Sequence, residues 1–149
     1  MLTPIVIDDV RPRTPAGFPA KAVVGEAIEV SALVIADGHD VLGAGMRWRA
    51  VESNAWTVAR LHLTSEGRWM GTITPSRIGA HELIVDAWSD RYSTWAHEIE
   101  AKVAAGQDVE LELTEGALLL DDLATHLDGS AAALVREAAV GLRRTSCSV

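Results

Sequence analysis

One stretch restricts the fold more than any other: GAHELIVDAWSDRYSTWAHEIEAKVAAGQD, Gly79 to Asp108, where the spacing of apolar residues changes with almost no linker. In its first half Leu83, Val85 and Ala87 alternate with Glu82 and Asp86, the pattern of a strand with one buried face. Ile84 and Trp88 interrupt the polar face, so that face is expected to be covered as well. In the second half Tyr92, Trp95, Ala96, Ile99 and Val103 recur at steps of three and four, the stripe of an amphipathic helix. Asp90 stands where an N-cap belongs and Gly106 where a helix stops. A core strand must therefore run straight into a helix.

Upstream of that stretch the alternation is all of strand type. Ile5–Ile7 reads as a short strand, and Arg11–Pro19 as an extended loop punctuated by proline. Ile28, Val30, Ala32 and Val34 share a face, Met46, Trp48 and Ala50 oppose Arg47 and Arg49, and Trp69, Gly71 and Ile73 point together. Trp56–Thr64 reads as one strand with Ala59, Leu61 and Leu63 on its inner side. Turn signals fall at Asp37–Asp40, Glu52–Ala55, Ser65–Gly67 and Pro75–Gly79. Six or seven short strands between regular turns predict a β-sandwich. Downstream, Asp108 to about Leu127 is read as helix, with Leu113, Leu120, Leu123 and Leu127 on a stripe and Asp108 as its cap. Asp128–Ser130 breaks it, and Ala131–Arg144 forms another helix. These helices carry more apolar surface than a tail needs, so they are expected to dock on something.

Composition removes several function classes. A net charge of −8, with 21 acidic against 13 basic residues, leaves no basic patch for nucleic acid. No run approaches the ~18 apolar residues of a membrane span, and the N-terminus, without a positive region followed by an apolar run, is not expected to be a signal peptide. The single cysteine, Cys147, has no internal partner and no basic pocket, so it is read as inert in a reducing cytoplasm. His39, His62, His81, His97 and His126 show no metal-ligand spacing. The DGHD run of Asp37, His39 and Asp40 reads as a turn held by its own side chains. Asp86 and Asp90 are the carboxylates nearest to a glycosidase pair, but a strand end and a helix cap account for both. No cofactor is implied. Of five tryptophans, Trp48 and Trp69 lie on core faces, and Trp88 and Trp95 belong to the strand–helix junction. Trp56 is left as the one candidate for stacking on a sugar.

RWMGTITPSRIGAHELIVDAW resembles the end of an Ig-like sandwich of the kind found ahead of amylase-like barrels. VVGEAIEVSALVIADGHDVLGAGMRWR and DAWSDRYSTWAHEIEAKVAAGQDVELELTEGALLL, with their strings ADGHD, TWAHE and KVAAGQDVELEL, are similar to the N-terminal domain of the GlgE-type α-1,4-glucan:maltose-1-phosphate maltosyltransferases. The likeness covers about Lys21 to Leu120 and thins beyond Leu123. It implies a mainly β fold, an Ig-like or fibronectin-like sandwich of about seven strands followed by two or three α-helices. The expected division is 1–90 for the sandwich and 91–149 for a helical extension. It also implies that this chain stops before a catalytic barrel and carries no catalytic residue of its own. Its expected role is assembly, as a homodimer and with the remainder of the parent enzyme, through Tyr92, Trp95, Ile99, Val103, Leu120 and Leu123. The alternative is an α-glucan-binding module using Trp56, and a self-contained enzyme lacks a catalytic pair.

Overall fold

The structure is a computed structural model that describes residues 4–146; Cys147 lies outside them. Seven strands, β1 (Ile5–Arg11), β2 (Ile28–Ala36), β3 (Leu42–Ala50), β4 (Thr57–Arg60), β5 (His62–Leu63), β6 (Trp69–Ile73) and β7 (His81–Ser89), precede three helices, α1 (Arg91–Ala104), α2 (Glu110–Thr125) and α3 (Gly129–Ser146). The chain divides into two compact units between Ser89 and Asp90.

The first unit is a sandwich of two antiparallel sheets, one with strand order β1-β2-β6-β5 and one with order β4-β3-β7. The alternation read in the sequence decides which side chains enter the space between them. Val30, Ala44, Met46, Leu61, Trp69 and Ile73 form the buried core, with Ile28, Val34, Leu42, Trp48, Leu83, Val85 and Ala87 packed around it. Ser31, on the opposite face of β2, is also buried, because Arg68 reaches across to it. The same guanidinium holds Asp9 through its carboxylate and its carbonyl, each at 2.9 Å. These bonds pin β1 where its pairing with β2 shifts register between Asp8 and Arg11.

The strand expected over Trp56–Thr64 is in fact two. Thr57–Arg60 pairs with β3, whereas His62 and Leu63 pair with β6 in the other sheet. The chain changes sheets at Leu61, which is buried, and the switch turns Leu63 outward. Alternation cannot register such a switch, because it reports side-chain direction and not the partner strand. Two further differences are small. β1 extends to Arg11, and the proline loop contains a 3-10 turn at Pro15–Gly17.

The second unit is the three helices. Asp90 accepts a hydrogen bond from Ser93 N at 3.0 Å, which satisfies an amide that the first helical turn leaves free. At the other end Gly106 adopts φ 67° and Gln107 N returns to Lys102 O, a left-handed stop. Asp108 accepts from Glu110 N just ahead of α2, although Val109 occupies the cap position. α3 begins two residues earlier than expected, at Gly129. Its Ala139 meets Ala117 and Leu120 of α2 in the core of this unit.

Candidate functional site

The outward side of the β4-β3-β7 sheet gathers the densest polar chemistry of the sandwich. Because Ala44 and Met46 point into the core, Gly43, Gly45, Arg47 and Arg49 point out. Arg49 lies directly across from Glu82 on β7 and bonds it through Nε at 2.9 Å, while its Nη1 donates to Ser53 O at 3.2 Å. Arg47 lies across from Ile84 and reaches diagonally to Asp86, with Nε 3.2 Å from Oδ2. That Nε is buried and makes no well-aligned hydrogen bond. Trp56 folds over both arginines, whose guanidinium carbons lie 4.5 Å (Arg49) and 5.4 Å (Arg47) from its ring centre. At the other end of β3, Trp88 rests on Gly43 and Gly45. A Cβ on Gly43 would lie 2.5 Å from the indole. Arg60 stands over that ring at 5.6 Å.

Trp88 thus packs on the sandwich's own β3, where only glycines leave room for a ring flat on the sheet. Trp56, by contrast, is where the sequence placed a stacking candidate. The sequence reading missed its two arginine partners, although RWR flanked by outward positions on β3 was their signal. No tryptophan among the described residues is fully exposed, so no platform of several open rings exists there.

At the open end of the sandwich a cleft of about 570 Å³ is lined mainly by apolar groups, among them Ile28, Trp48, Ile73, Ile78 and Leu83. The polar groups at its rim are engaged elsewhere. Arg77 pairs with Glu52 at 2.8 Å, Glu82 with Arg49, and His81 Nδ1 lies 3.1 Å from Gly79 O. The cleft offers shape and apolar surface but no reactive pair.

In the helical unit Trp95 lies against Gly116 and its Nε1 donates to Glu112 O at 2.6 Å. Lys102 bonds the Glu112 carboxylate, which is almost completely buried. This bond lowers the Glu112 pKa and raises that of Lys102, outweighing the opposing effect of burial. In the sandwich, Asp9 is likewise held low, first by Arg11 and then, against burial, by Arg68.

The residues expected at an interface separate into two groups. Trp95 turns inward onto Gly116, and Leu120 is only 8% exposed, enclosed by Ala117 and Ala139. Both pack against residues of their own unit. Ile99 is half-buried, whereas Tyr92, Val103 and Leu123 are exposed. The sequence reading missed the most open leucines, Leu111 at 66%, Leu118 at 60% and Leu134 at 68%.

Asp86 is tied to Arg47 and Asp90 caps α1, so each has a structural task. Asp37, His39 and Asp40 sit in an exposed turn in which Gly38 has φ 111°. Among the described residues no three His, Cys, Asp or Glu side chains come together as a metal ion requires. No described helix is long and apolar enough to cross a membrane.

A family model described as alpha-1,4-glucan:maltose-1-phosphate maltosyltransferase, domain N/S, matches residues 3–148. Among similar proteins is the alpha-1,4-glucan:maltose-1-phosphate maltosyltransferase of Myxococcus xanthus, 40% identical over 149 residues, covering 94% of this chain and 22% of that protein. The one from Burkholderia pseudomallei is 39% identical, covering 92% of this chain and 12% of that protein. Maltosyltransferase 1 of Streptomyces coelicolor is 40% identical, covering 84% and 19%. The chain thus spans about a fifth or less of the length of these curated relatives. The family match also runs through α3, well past Leu123, where the likeness read from the sequence faded.

Proposed function

The chain belongs to the domain N/S family of the alpha-1,4-glucan:maltose-1-phosphate maltosyltransferases, and from that premise we propose that it is the non-catalytic assembly domain of such an enzyme. The parent activity is transfer of maltosyl units from maltose 1-phosphate to α-1,4-glucan. The chemistry belongs to the four-fifths of the relatives that this chain does not span. One observation carries the assembly role. The helical unit encloses a small core of alanines and Leu120 yet leaves Leu111, Leu118 and Leu134 about two-thirds open. Open leucines on both α2 and α3 of so small a unit support a protein contact. A second copy of the chain is the partner we assign to it, with Tyr92, Val103 and Leu123 as flanking contacts. Strand order β1-β2-β6-β5 against β4-β3-β7 supports the Ig-like label, because it is the ABED and C′CF arrangement without a last strand. A cytoplasmic location goes with this reading, since a lone cysteine suits a reducing compartment.

Size-exclusion chromatography with light scattering on the 149-residue chain tests the role. The wild type is expected at twice the monomer mass, and Leu118→Gln with Leu134→Gln at the monomer mass with unchanged circular dichroism. A wild-type monomer at high concentration, or turnover of maltose 1-phosphate by this chain, would overturn it.

A further inference from the structure

A sheet edge presents a row of backbone N–H and C=O groups that another strand can pair with, and natural sheets blunt such edges. The two sheets of the sandwich have four edges, and three of them are blunted. β1 shifts register between Asp8 and Arg11, with Asp9 at φ 44°, and runs into Pro12. β4 is four residues long and β5 two. β7 is different. Its nine residues pair with β3 in one unbroken register, from Ser89 opposite Leu42 to His81 opposite Ala50, and it contains no proline. Among the described residues no strand pairs with its other side; β1 passes close to it but is laddered to β2. The charges on β7 do not guard that edge, because Glu82 and Asp86 are drawn back over the sheet to Arg49 and Arg47 of β3. Beneath the same strand the apolar cleft brings Leu83 together with Ile28, Trp48 and Ile73, inward side chains of four different strands. Leu83, Val85 and Ala87 of β7 stay half-buried, whereas Ala44 and Met46 of β3 are enclosed. An unguarded edge beside unfilled apolar surface suits an added strand, whose backbone bonds the edge while alternate side chains enter the core.

We propose that the β7 edge takes up an extended segment of the parent polypeptide from outside residues 1–149, which adds to the sheet as a further strand. In an Ig-like sandwich the strand at this position is the one that comes next in the chain. Here the chain passes from β7 into helices, and none of the described residues occupies that position. The matched relatives are long enough to provide one, since this chain covers 22% of the Myxococcus xanthus protein. A segment of the same polypeptide also has an advantage over a second copy. Tethering raises its effective concentration to as much as about millimolar, which a second copy must reach in bulk. The chemistry of the segment follows from the edge. It is ~5–10 residues long, free of proline, and alternating, with apolar side chains over the cleft at Leu83 and polar ones on the side of Glu82 and Asp86. The inference rests on the parent-enzyme reading above and not on contact between helices.

Overlapping peptides of ~15 residues, each long enough to hold one strand, test the edge. They cover the Myxococcus xanthus relative outside its matched stretch and are titrated into the 149-residue chain. Fluorescence polarisation reads binding, and NMR-detected hydrogen exchange reads the β7 amides. In the chain alone the amides that face β3 should exchange slowly and the alternate ones fast. One peptide, with its overlapping neighbours, should bind and slow the fast set. N-methylation of every second amide of that peptide, in the phase that faces β7, should weaken binding on the order of tenfold or more, because those amides lose their backbone partners. Methylation in the other phase should leave binding intact. Leu118→Gln with Leu134→Gln should bind the peptide unchanged, so failure of helical assembly is not failure of the edge. Binding by no peptide, or binding indifferent to both methylation phases, would overturn the proposal. β7 amides that are all slow in the chain alone and become fast on dilution would also overturn it, by making a second copy the occupant.

Discussion

Replacing Gly116 by alanine should destabilise the helical unit, although the same change in a helix interior ordinarily stabilises. Alanine is favoured over glycine in a helix by ~1 kcal/mol, because glycine loses more backbone freedom. At Gly116, however, an added Cβ would fall closer to three atoms of the Trp95 indole than the 3.0 Å that real Cβ atoms keep. The ring cannot simply swing aside, because its Nε1 is bonded to Glu112 O. Forcing a methyl into a packed site costs ~1–3 kcal/mol, and losing the indole bond adds ~1 kcal/mol. Offset by the propensity gain, the net loss is ~1–3 kcal/mol. Gly141, in α3, is the internal control, since nothing lies within 4 Å of a Cβ there. Gly141→Ala should stabilise by ~0.5–1 kcal/mol. Denaturant unfolding followed by circular dichroism at the helical minimum reads both variants on the unit that carries them. Trp95→Phe removes the indole atoms that meet the methyl, so the cost of Gly116→Ala should shrink in that background, a coupling that a double-mutant cycle isolates. If Gly116→Ala stabilised as much as Gly141→Ala, the indole would not be seated on that glycine and the account of the α1–α2 contact would fail.

Two further outcomes test other parts of the structure. Met46 is among the largest fully buried side chains of the sandwich, so Met46→Ala should cost ~2–5 kcal/mol in denaturant unfolding of the sandwich; a loss under 1 kcal/mol would place it outside a close-packed core. The Lys102–Glu112 bond lowers the Glu112 pKa below the ordinary 4.5, so its contribution is fully present above that value and is lost as pH falls through the lowered one. Thermal unfolding of the helices should therefore weaken on acidification below pH 4.5, and Glu112→Gln should flatten that acid limb; parallel losses in wild type and variant would remove Glu112 from the explanation.

Much of the fold was legible in the sequence because its signals are local. The change of period at Asp90, with a capping carboxylate before α1 and a left-handed glycine after it, fixed both ends of that helix. Alternation on β2, β3, β6 and β7 named most of the sandwich core, since successive side chains on a strand must face opposite ways. RWMGTITPSRIGAHELIVDAW and its companions carried the family. Trp56 also stood out, as an aromatic at a strand start with no core face to fill.

Other features depended on partners that are distant in sequence. The change of sheet at Leu61 depends on whether β3 or β6 offers free backbone groups, and hydrophobic order along the chain is blind to that. Trp88 settles on Gly43 and Gly45 because β3 pairs with β7 in the register that sets Gly43 opposite Trp88. α2 bears leucines on several sides, so its periodicity alone cannot say which are enclosed. The approach of Ala139 encloses Leu120 and leaves Leu111 and Leu118 open. Sequence determines which way a side chain points from its own backbone. Only the folded chain decides what it meets there, because burial is a property of two surfaces brought together.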